Sequence, residues 1–455
     1  MDAAWWRTRG LIAASLAALF GCAAVAPALF WLLLAAALAA GVALLALRHT
    51  ATATACAMWL LLAGATLEMT LGDLIGPEAF QPTIAIVKGA GLALAAASVL
   101  RYGPSLDLFN PGIAFVVIYL AGMVHGLHPN LTPSDSLRSL IGSFAPYAFS
   151  FSRLSRGWAR AMIRMTTWIP PITVAAAAAL DMAGLHPMFV DSGGMRLAGL
   201  GHPAFLAGFC LTAIYACLIE LYRGRPLLWL LAANGTILLL TGARAPTAYA
   251  AAVTILTLVC VDTPQFPWRR RLPLLLFGAL AGAMLAGLAS SLSDLRLFAL
   301  LDGEAANLSG REQLWPLFAA AAEGSPWVGW GVGAGNAIIP PDSLIAKQMH
   351  TWAAHNEYLR MAVEGGELGR ALLILMFTLW AWTHTARLRP SERRIMRFVF
   401  AAFACHAITD NVLISTSASV LFAFVSAVFA RGALESGAAV TPARTPRLLG
   451  AGQVA

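Results

Sequence analysis

From residue 10 onward the chain alternates long apolar stretches with short polar interruptions. The apolar runs fall at 10–26, 28–47, 52–71, 83–100, 111–127, 139–152, 166–184, 202–221, 226–242, 246–262, 272–291, 367–386, 397–415 and 418–433. About 17–25 such residues carry a helix across a bilayer. The pattern therefore predicts about fourteen crossings, or about twelve if the short, polar-flanked run at 139–152 and a neighbour are re-entrant or merged. The expected fold class is all-α, a polytopic transmembrane helix bundle. Pro27 divides the first long run in two. That run continues to Leu47, far beyond the hydrophobic region of a cleavable signal, so no cleavage is expected.

One interval breaks the alternation. Residues 292–366 form a long polar and aromatic segment between two spans, with Trp315, Trp327, Trp330 and Trp352. Loops longer than about 15 residues in compact proteins are usually functional or disordered, and tryptophans at this density argue against disorder. The expected organisation is a first set of spans over 1–291, a loop with a catalytic motif over 292–366, and C-terminal spans with a tail over 367–455.

The loop has readable punctuation. Ser309 and Glu312 form a capping box ahead of a helix that Pro316 should kink and Gly324 should end. A glycine-rich turn region follows at 329–341, "GWGVGAGNAIIPP". A second helix is predicted from Thr351 to Glu364, stopping at Gly365-Gly366, with Trp352, His355, Tyr358 and Leu359 on one face.

Composition sharpens this picture. The chain is 59% hydrophobic and 11% charged, with a mean hydropathy of +0.74; soluble domains are about half apolar and about a quarter charged. The net charge of +8 lies in short loops, with no motif for reading nucleic acid. Placing the N-terminus in the cytoplasm puts roughly 21 of the 30 Lys and Arg residues on that side. Both termini are then cytoplasmic, and 292–366 lies on the outer face. Cys22, Cys56, Cys210, Cys217, Cys260 and Cys405 form no CxxC pair and read as packing residues.

The candidate chemistry lies on that outer face. Arg244, in "LLLTGARAPTAYAAA", stands near the outer end of a span, where a guanidinium is costly unless it faces water or a partner. Its bland alternative is a snorkelling interfacial arginine. Arg311, in the first helical turn of the loop, combines a fork of donors with free backbone N–H groups, a pairing suited to phosphate. It reads equally well as a solvated surface charge. Arg196, in "DSGGMRLAGLGHP", is a weaker third cation.

His355 is the best general base candidate, because imidazole titrates near neutral pH. Glu357, Arg360 and Glu364 are near enough in sequence to tune it, although a lone helical histidine is more often structural. His202, His350 and His406 are weaker candidates. No HExxH, GxSxG or P-loop lysine motif occurs.

Three blocks together carry a resemblance: "SGREQLW", "SPWVGWGVGAGN" and "HNEYLRMAVEGGELG", preceded by "TGARAPTAYAA" and, more weakly, "RLAGLGHPAFLAG". In these the chain resembles the O-antigen ligase and O-antigen polymerase family of bacterial envelope glycosyltransferases. It departs from the family pattern at Ala243 and Ala245 around the intramembrane arginine, and at Ala204 after "GHP".

The resemblance implies a GT-C-like bundle in the inner membrane that uses an undecaprenyl-diphosphate-linked glycan donor and no cofactor or metal. It implies Arg244 and Arg311 on the donor diphosphate with Arg196 as a helper. It further implies His355 as the base and Asn356, Glu357, Tyr358 and Arg360 around the substrate. The acceptor would be a lipid A-core sugar (ligase) or another lipid-linked repeat (polymerase). The lean is to the ligase, on the single large loop. A small-anion transporter is the competing class; it would be expected to show two matching halves with broken helices, and no internal repeat is visible.

Overall fold

The computed structural model describes residues 80–191, 194–287, 311–349 and 351–440, with a few isolated positions before residue 80. The predicted spans at 10–26, 28–47 and 52–71 lie outside the described residues, as does Ser309 of the predicted capping box. What is described is mostly helical.

Helices start where the sequence supplies a cap. α1 runs Phe80–Tyr102. α2 (Pro111–His125) opens with proline in its first turn, and the Asn110 side chain accepts from Gly112 N at 2.8 Å. α3 (Pro133–Phe144) repeats the device with Thr132, which accepts from Asp135 N. A 3₁₀ segment, Ala145–Phe151, continues it. α4 (Arg156–Met182) is capped by Ser155. Strands β1 (Phe189–Asp191) and β2 (Met195–Leu197) then form an antiparallel hairpin that pairs Val190 with Arg196.

α5 (Pro203–Leu221), α6 (Leu228–Leu240), α7 (Arg244–Cys260) and α8 (Trp268–Gly287) follow. The loop region holds α9 (Arg311–Glu323) and the short α10 (Leu344–Met349). α11 (Glu357–Thr385), α12 (Pro390–His406) and α13 (Thr416–Val440) complete the order.

Among the described residues, α4, α5 and the Thr416–Gly437 part of α13 are long and apolar enough to cross a membrane. α2, α6 and α7 are apolar but shorter. α4, α5 and α13 pack on one another around Trp158, Met162, Ile169, Phe209, Tyr215 and Phe424, all buried.

Two expectations change here. The run at 139–152 holds only the second half of the 12-residue α3, continued by a 3₁₀ segment, because Pro146 removes an N–H that a longer α-helix needs. The run at 397–415 is helical only to His406. Beyond it Thr409, Asp410 and Asn411 turn the chain, and polar side chains of this kind compete with the helical ladder.

The two ends of the bundle differ. At one, ion pairs around the buried Glu220 and Glu392 join Arg223 to Glu392 and Glu435, and Glu220 to Arg225 and Arg431, tying together the ends of α5, α12 and α13. The loop 311–356 sits at the opposite end on its own small core of Leu314, Phe318, Ala334, Ile339, Ala354 and Val363. Trp315 and Trp330 pin that core by donating their indole N–H groups to Ala354 O (2.9 Å) and Ala321 O (2.7 Å).

The glycine-rich stretch is a clamp. Gly329, Gly331 and Gly333 all have positive φ (74°, 87° and 95°), a conformation that favours glycine. Between them, Trp330 N and Gly331 N donate to Val363 O and Glu364 O, both at 2.9 Å. This occurs where α11 breaks at Gly366 (φ 59°, ψ −165°), so the expected stop at Gly365-Gly366 is a break, and helix resumes through Thr385. A Cβ on Gly366 would lie 2.3 Å from the Trp327 carbonyl carbon. Gly366→Ala is therefore expected to lower the melting temperature markedly, since the left-handed strain alone costs about 1–3 kcal/mol. A variant that melts with the wild type would refute the clamp.

Candidate functional site

The predicted helix Thr351–Glu364 does not form as expected. α11 begins only at Glu357, and Asn356 is its cap, accepting from Leu359 N at 3.1 Å. His355 precedes the helix with φ 47°, the single non-glycine residue with positive φ among those described. It therefore does not share a helical face with Trp352. Strain at such a site persists only when surrounding contacts over-determine it. Here Ala354 is buried and held by Trp315, and Glu357 N donates to Ala407 O at 2.8 Å.

This turn aims the imidazole at the loop between α12 and α13. His355 Nδ1 lies 3.2 Å from Asp410 Oδ1, and Nε2 lies 2.9 Å from Thr351 Oγ1. Burial pushes the Asp410 carboxyl up. The hydrogen bond and charge of His355, the charge of His406 and the Asn411 N–H together outweigh that and hold its pKa at about 2. An ionised Asp410 can only accept, so Nδ1 carries a proton, and in the neutral ring Nε2 then presents its lone pair. The Thr351 hydroxyl donates to that lone pair, occupying the place where another hydroxyl could bind.

Asp410 is itself held. Asn411 N donates to Oδ1 at 2.8 Å, and His406 Nε2 stands 3.7 Å from Oδ2. The His406 ring rests on Tyr249 of α7, with centroids 5.1 Å apart. A continuous set of contacts thus runs from α7 through His406 and Asp410 to His355.

Arg244 is the first residue of α7 and is exposed, five residues before Tyr249. Arg196 is buried, and its Nε donates to Thr241 O at 2.7 Å. Its hairpin therefore braces the turn 241–243 that launches Arg244. Arg311 opens α9, one helical turn before Trp315.

The remaining predicted residues are engaged in holding the fold. Arg360 Nε donates to Glu357 Oε2 (2.6 Å) and its Nη1 to Glu364 Oε1 (2.9 Å), all three buried. Glu357 Oε1 also accepts from Leu413 N at 2.7 Å, stapling the loop that carries Asp410. Tyr358 Oη donates to Ala404 O at 3.0 Å.

Beside this cluster an open cleft of ≈ 560 Å³ lies between α9 and α11, lined by Trp315, Pro316, Ala319, Asn356, Tyr358, Leu359 and Arg370. Arg370 also lines an apolar groove of ≈ 280 Å³ between α11 and α12 that runs past Leu373, Phe377 and Trp382 to Arg397.

Sequence reasoning singled out neither Asp410, Thr351 nor Arg370. The available signal was "HAITD", which spaces His406 and Asp410 by four residues. Nothing local connects that pair to His355, 55 positions earlier.

Asp410→Asn is expected to cut activity on the order of 10²-fold, because an amide fixes neither tautomer nor charge on the imidazole. The reading is kcat at constant KM. A fall in KM affinity alone would show that Asp410 holds substrate instead. On stability the sign is also set: the depressed carboxyl stabilises the fold above its unfolded pKa of about 4, and that contribution is lost as pH falls through about 2.

The class defined here is a helical protein with apolar helices of membrane-spanning length, carrying at one end a histidine–aspartate pair near a cleft lined in part by Arg370. Comparison with known families makes this more particular. Residues 226–374 match the family described as O-antigen ligase, and this segment, from α6 through the first half of α11, belongs to it. The family's activity is glycan transfer of the ligase and polymerase kind. Among curated proteins no relative matches. The matched segment contains Arg244, Arg311 and His355, while Arg196 and Asp410 lie outside it.

Proposed function

We propose that this protein transfers a glycan from a polyprenyl-diphosphate donor, of the undecaprenyl class, to a sugar hydroxyl on the outer face of the bacterial inner membrane. The observation that carries the reading is the His355–Asp410 pair. An ionised carboxylate orients the ring, and Nε2 is left with its lone pair already bonded to a hydroxyl. Within a segment of the O-antigen ligase family, that is a base awaiting an alcohol.

In the reaction the acceptor hydroxyl displaces Thr351 at Nε2 and gives up its proton there. Its oxygen attacks the anomeric carbon, the bond from that carbon to the diphosphate oxygen breaks, and polyprenyl diphosphate leaves with inversion. Arg244 and Arg311 stabilise the charge that grows on the diphosphate, and fixed cations of this kind act most strongly in the transition state. Arg196 positions the turn of Arg244. Asn356 and Tyr358 form one wall of the acceptor cleft, and Glu357 and Arg360 hold the segment on which that wall stands. Within this reading the spans of 1–291 and 367–455 form one GT-C-like bundle, both termini are cytoplasmic, and 292–366 is the periplasmic catalytic loop.

The favoured acceptor is lipid A-core, as in a ligase; the same chemistry on a second lipid-linked repeat would make a polymerase. The deciding experiment supplies purified protein with undecaprenyl-diphosphate oligosaccharide and each acceptor in turn, with EDTA present. Transfer to lipid A-core supports the ligase, and chain growth on the donor alone supports the polymerase. Anion uptake by proteoliposomes without any transfer would replace the reading with a transporter.

A further inference from the structure

At the other end of the bundle, α4 carries a stripe that glycan transfer does not use. Its exposed positions recur every fourth residue: Arg156, Arg160, Arg164, Trp168 and Ile172. Intervening residues such as Trp158, Met162, Ile163 and Met165 are buried. Four-residue spacing makes successive members neighbours along one ridge, which winds about 40° round the helix at each step. The three arginines cover about 12 Å of helix axis, and Trp168 follows about 6 Å further on.

The strip has a second wall. Trp168 meets Trp229 of α6 edge to face with centroids 4.9 Å apart, and the indoles are 41% and 54% exposed. Arg225, in the turn between α5 and α6, adds a fourth cation: burial lowers its pKa, the charge of Glu220 opposes this, and the charges of Arg164, Arg431 and Arg160 lower it further. The adjacent Glu220 already binds both Arg225 and Arg431. Among the described residues no carboxylate pairs with Arg156, Arg160 or Arg164.

Read along the axis, the strip passes from cationic to aromatic to aliphatic. A bilayer presents phosphate, interface and acyl chain in the same order. Indoles favour the interfacial level, and basic groups just outside it attract anionic headgroups. A soluble anion would engage the arginines but would have no use for the exposed tryptophan pair aligned with them.

We infer that the α4–α6 face binds the headgroup of an anionic phospholipid, with Arg156, Arg160 and Arg164 around the phosphodiester and Trp168 and Trp229 against the glycerol and first acyl carbons. The site requires the chain to sit in a bilayer. It does not require that the protein transfer glycans, so either reading can fail without the other.

The test uses full-length protein in zwitterionic phosphatidylcholine, titrated with cardiolipin or phosphatidylglycerol, with lipid retention followed by native mass spectrometry and by melting temperature. Each interfacial arginine is worth about fivefold in affinity for an anionic surface. Arg160→Gln/Arg164→Gln is therefore expected to weaken anionic-lipid retention by at least about tenfold. Arg269→Gln/Arg270→Gln, an equal charge change on exposed positions of α8, removes only general surface attraction and should weaken retention clearly less than the α4 pair does. Trp168→Leu should weaken it several-fold with no change in charge, which keeps the test decisive if the double variant fails to fold. Equal loss in both double variants would reduce the effect to overall charge and overturn the site. Competition by inorganic phosphate at the same potency as lipid would overturn it in favour of a soluble anion.

Discussion

Replacing His355 with asparagine is expected to lower glycan transfer by on the order of 10²–10⁴-fold while leaving the fold intact, the usual worth of a general base. Asparagine is the better substitution because residue 355 has φ 47°. Asparagine enters the left-handed region more readily than other non-glycine residues, and its amide can still donate to Asp410. Alanine would add backbone strain and confuse lost chemistry with lost structure. The measurement is the initial rate of transfer from undecaprenyl-diphosphate oligosaccharide, with melting temperature and donor binding recorded in parallel. The loss should lie in kcat, with donor affinity near that of the wild type. A rate within tenfold of wild type would remove His355 from the chemistry. The same rate loss with weakened donor binding would make it a binding residue.

The largest effect on stability is expected at Arg360. Its guanidinium is 4% exposed and holds two carboxylates, Glu357 and Glu364, that are 2% and 0% exposed. Arg360→Met would leave both charges buried without their cation, a situation that costs on the order of 3–5 kcal/mol. The damage should reach the site, because Glu357 Oε1 accepts from Leu413 N and so anchors the loop bearing Asp410. The expected result is a sharply lower melting temperature in detergent together with loss of transfer. Neutralising the whole set, as Glu357→Gln/Arg360→Met/Glu364→Gln, should recover much of the stability, since replacing a complete buried ion set is often neutral. If the single variant melts like the wild type, these charges are better hydrated than their burial implies. If the triple variant is no better than the single, the contribution is one of packing rather than charge.

The triad also shows how sequence legibility ends. Glu357, Arg360 and Glu364 stand three and four residues apart, so their proximity on a helix could be read directly. Their role could not. In sequence they are possible partners for His355, but α11 turns them inward and His355 stays outside the helix in a strained turn. The glycines behave similarly. A stop at Gly365-Gly366 was readable, whereas resumption of the helix depends on the 329–331 strand of backbone that occupies the break.

Local order and chemistry were determined by the sequence itself. Caps and prolines mark the helix starts, apolar runs mark the apolar helices, and residues 226–374 match the O-antigen ligase family. These depend on neighbours within a few residues, where propensity and periodicity act. The partner of His355 was decided only by tertiary packing. Asp410 reaches His355 because α12 ends at His406, His406 rests on Tyr249, and Glu357 staples the following turn. Each of those contacts joins residues far apart in the chain. Their energy exists only once the helices are packed, so no local pattern could disclose it.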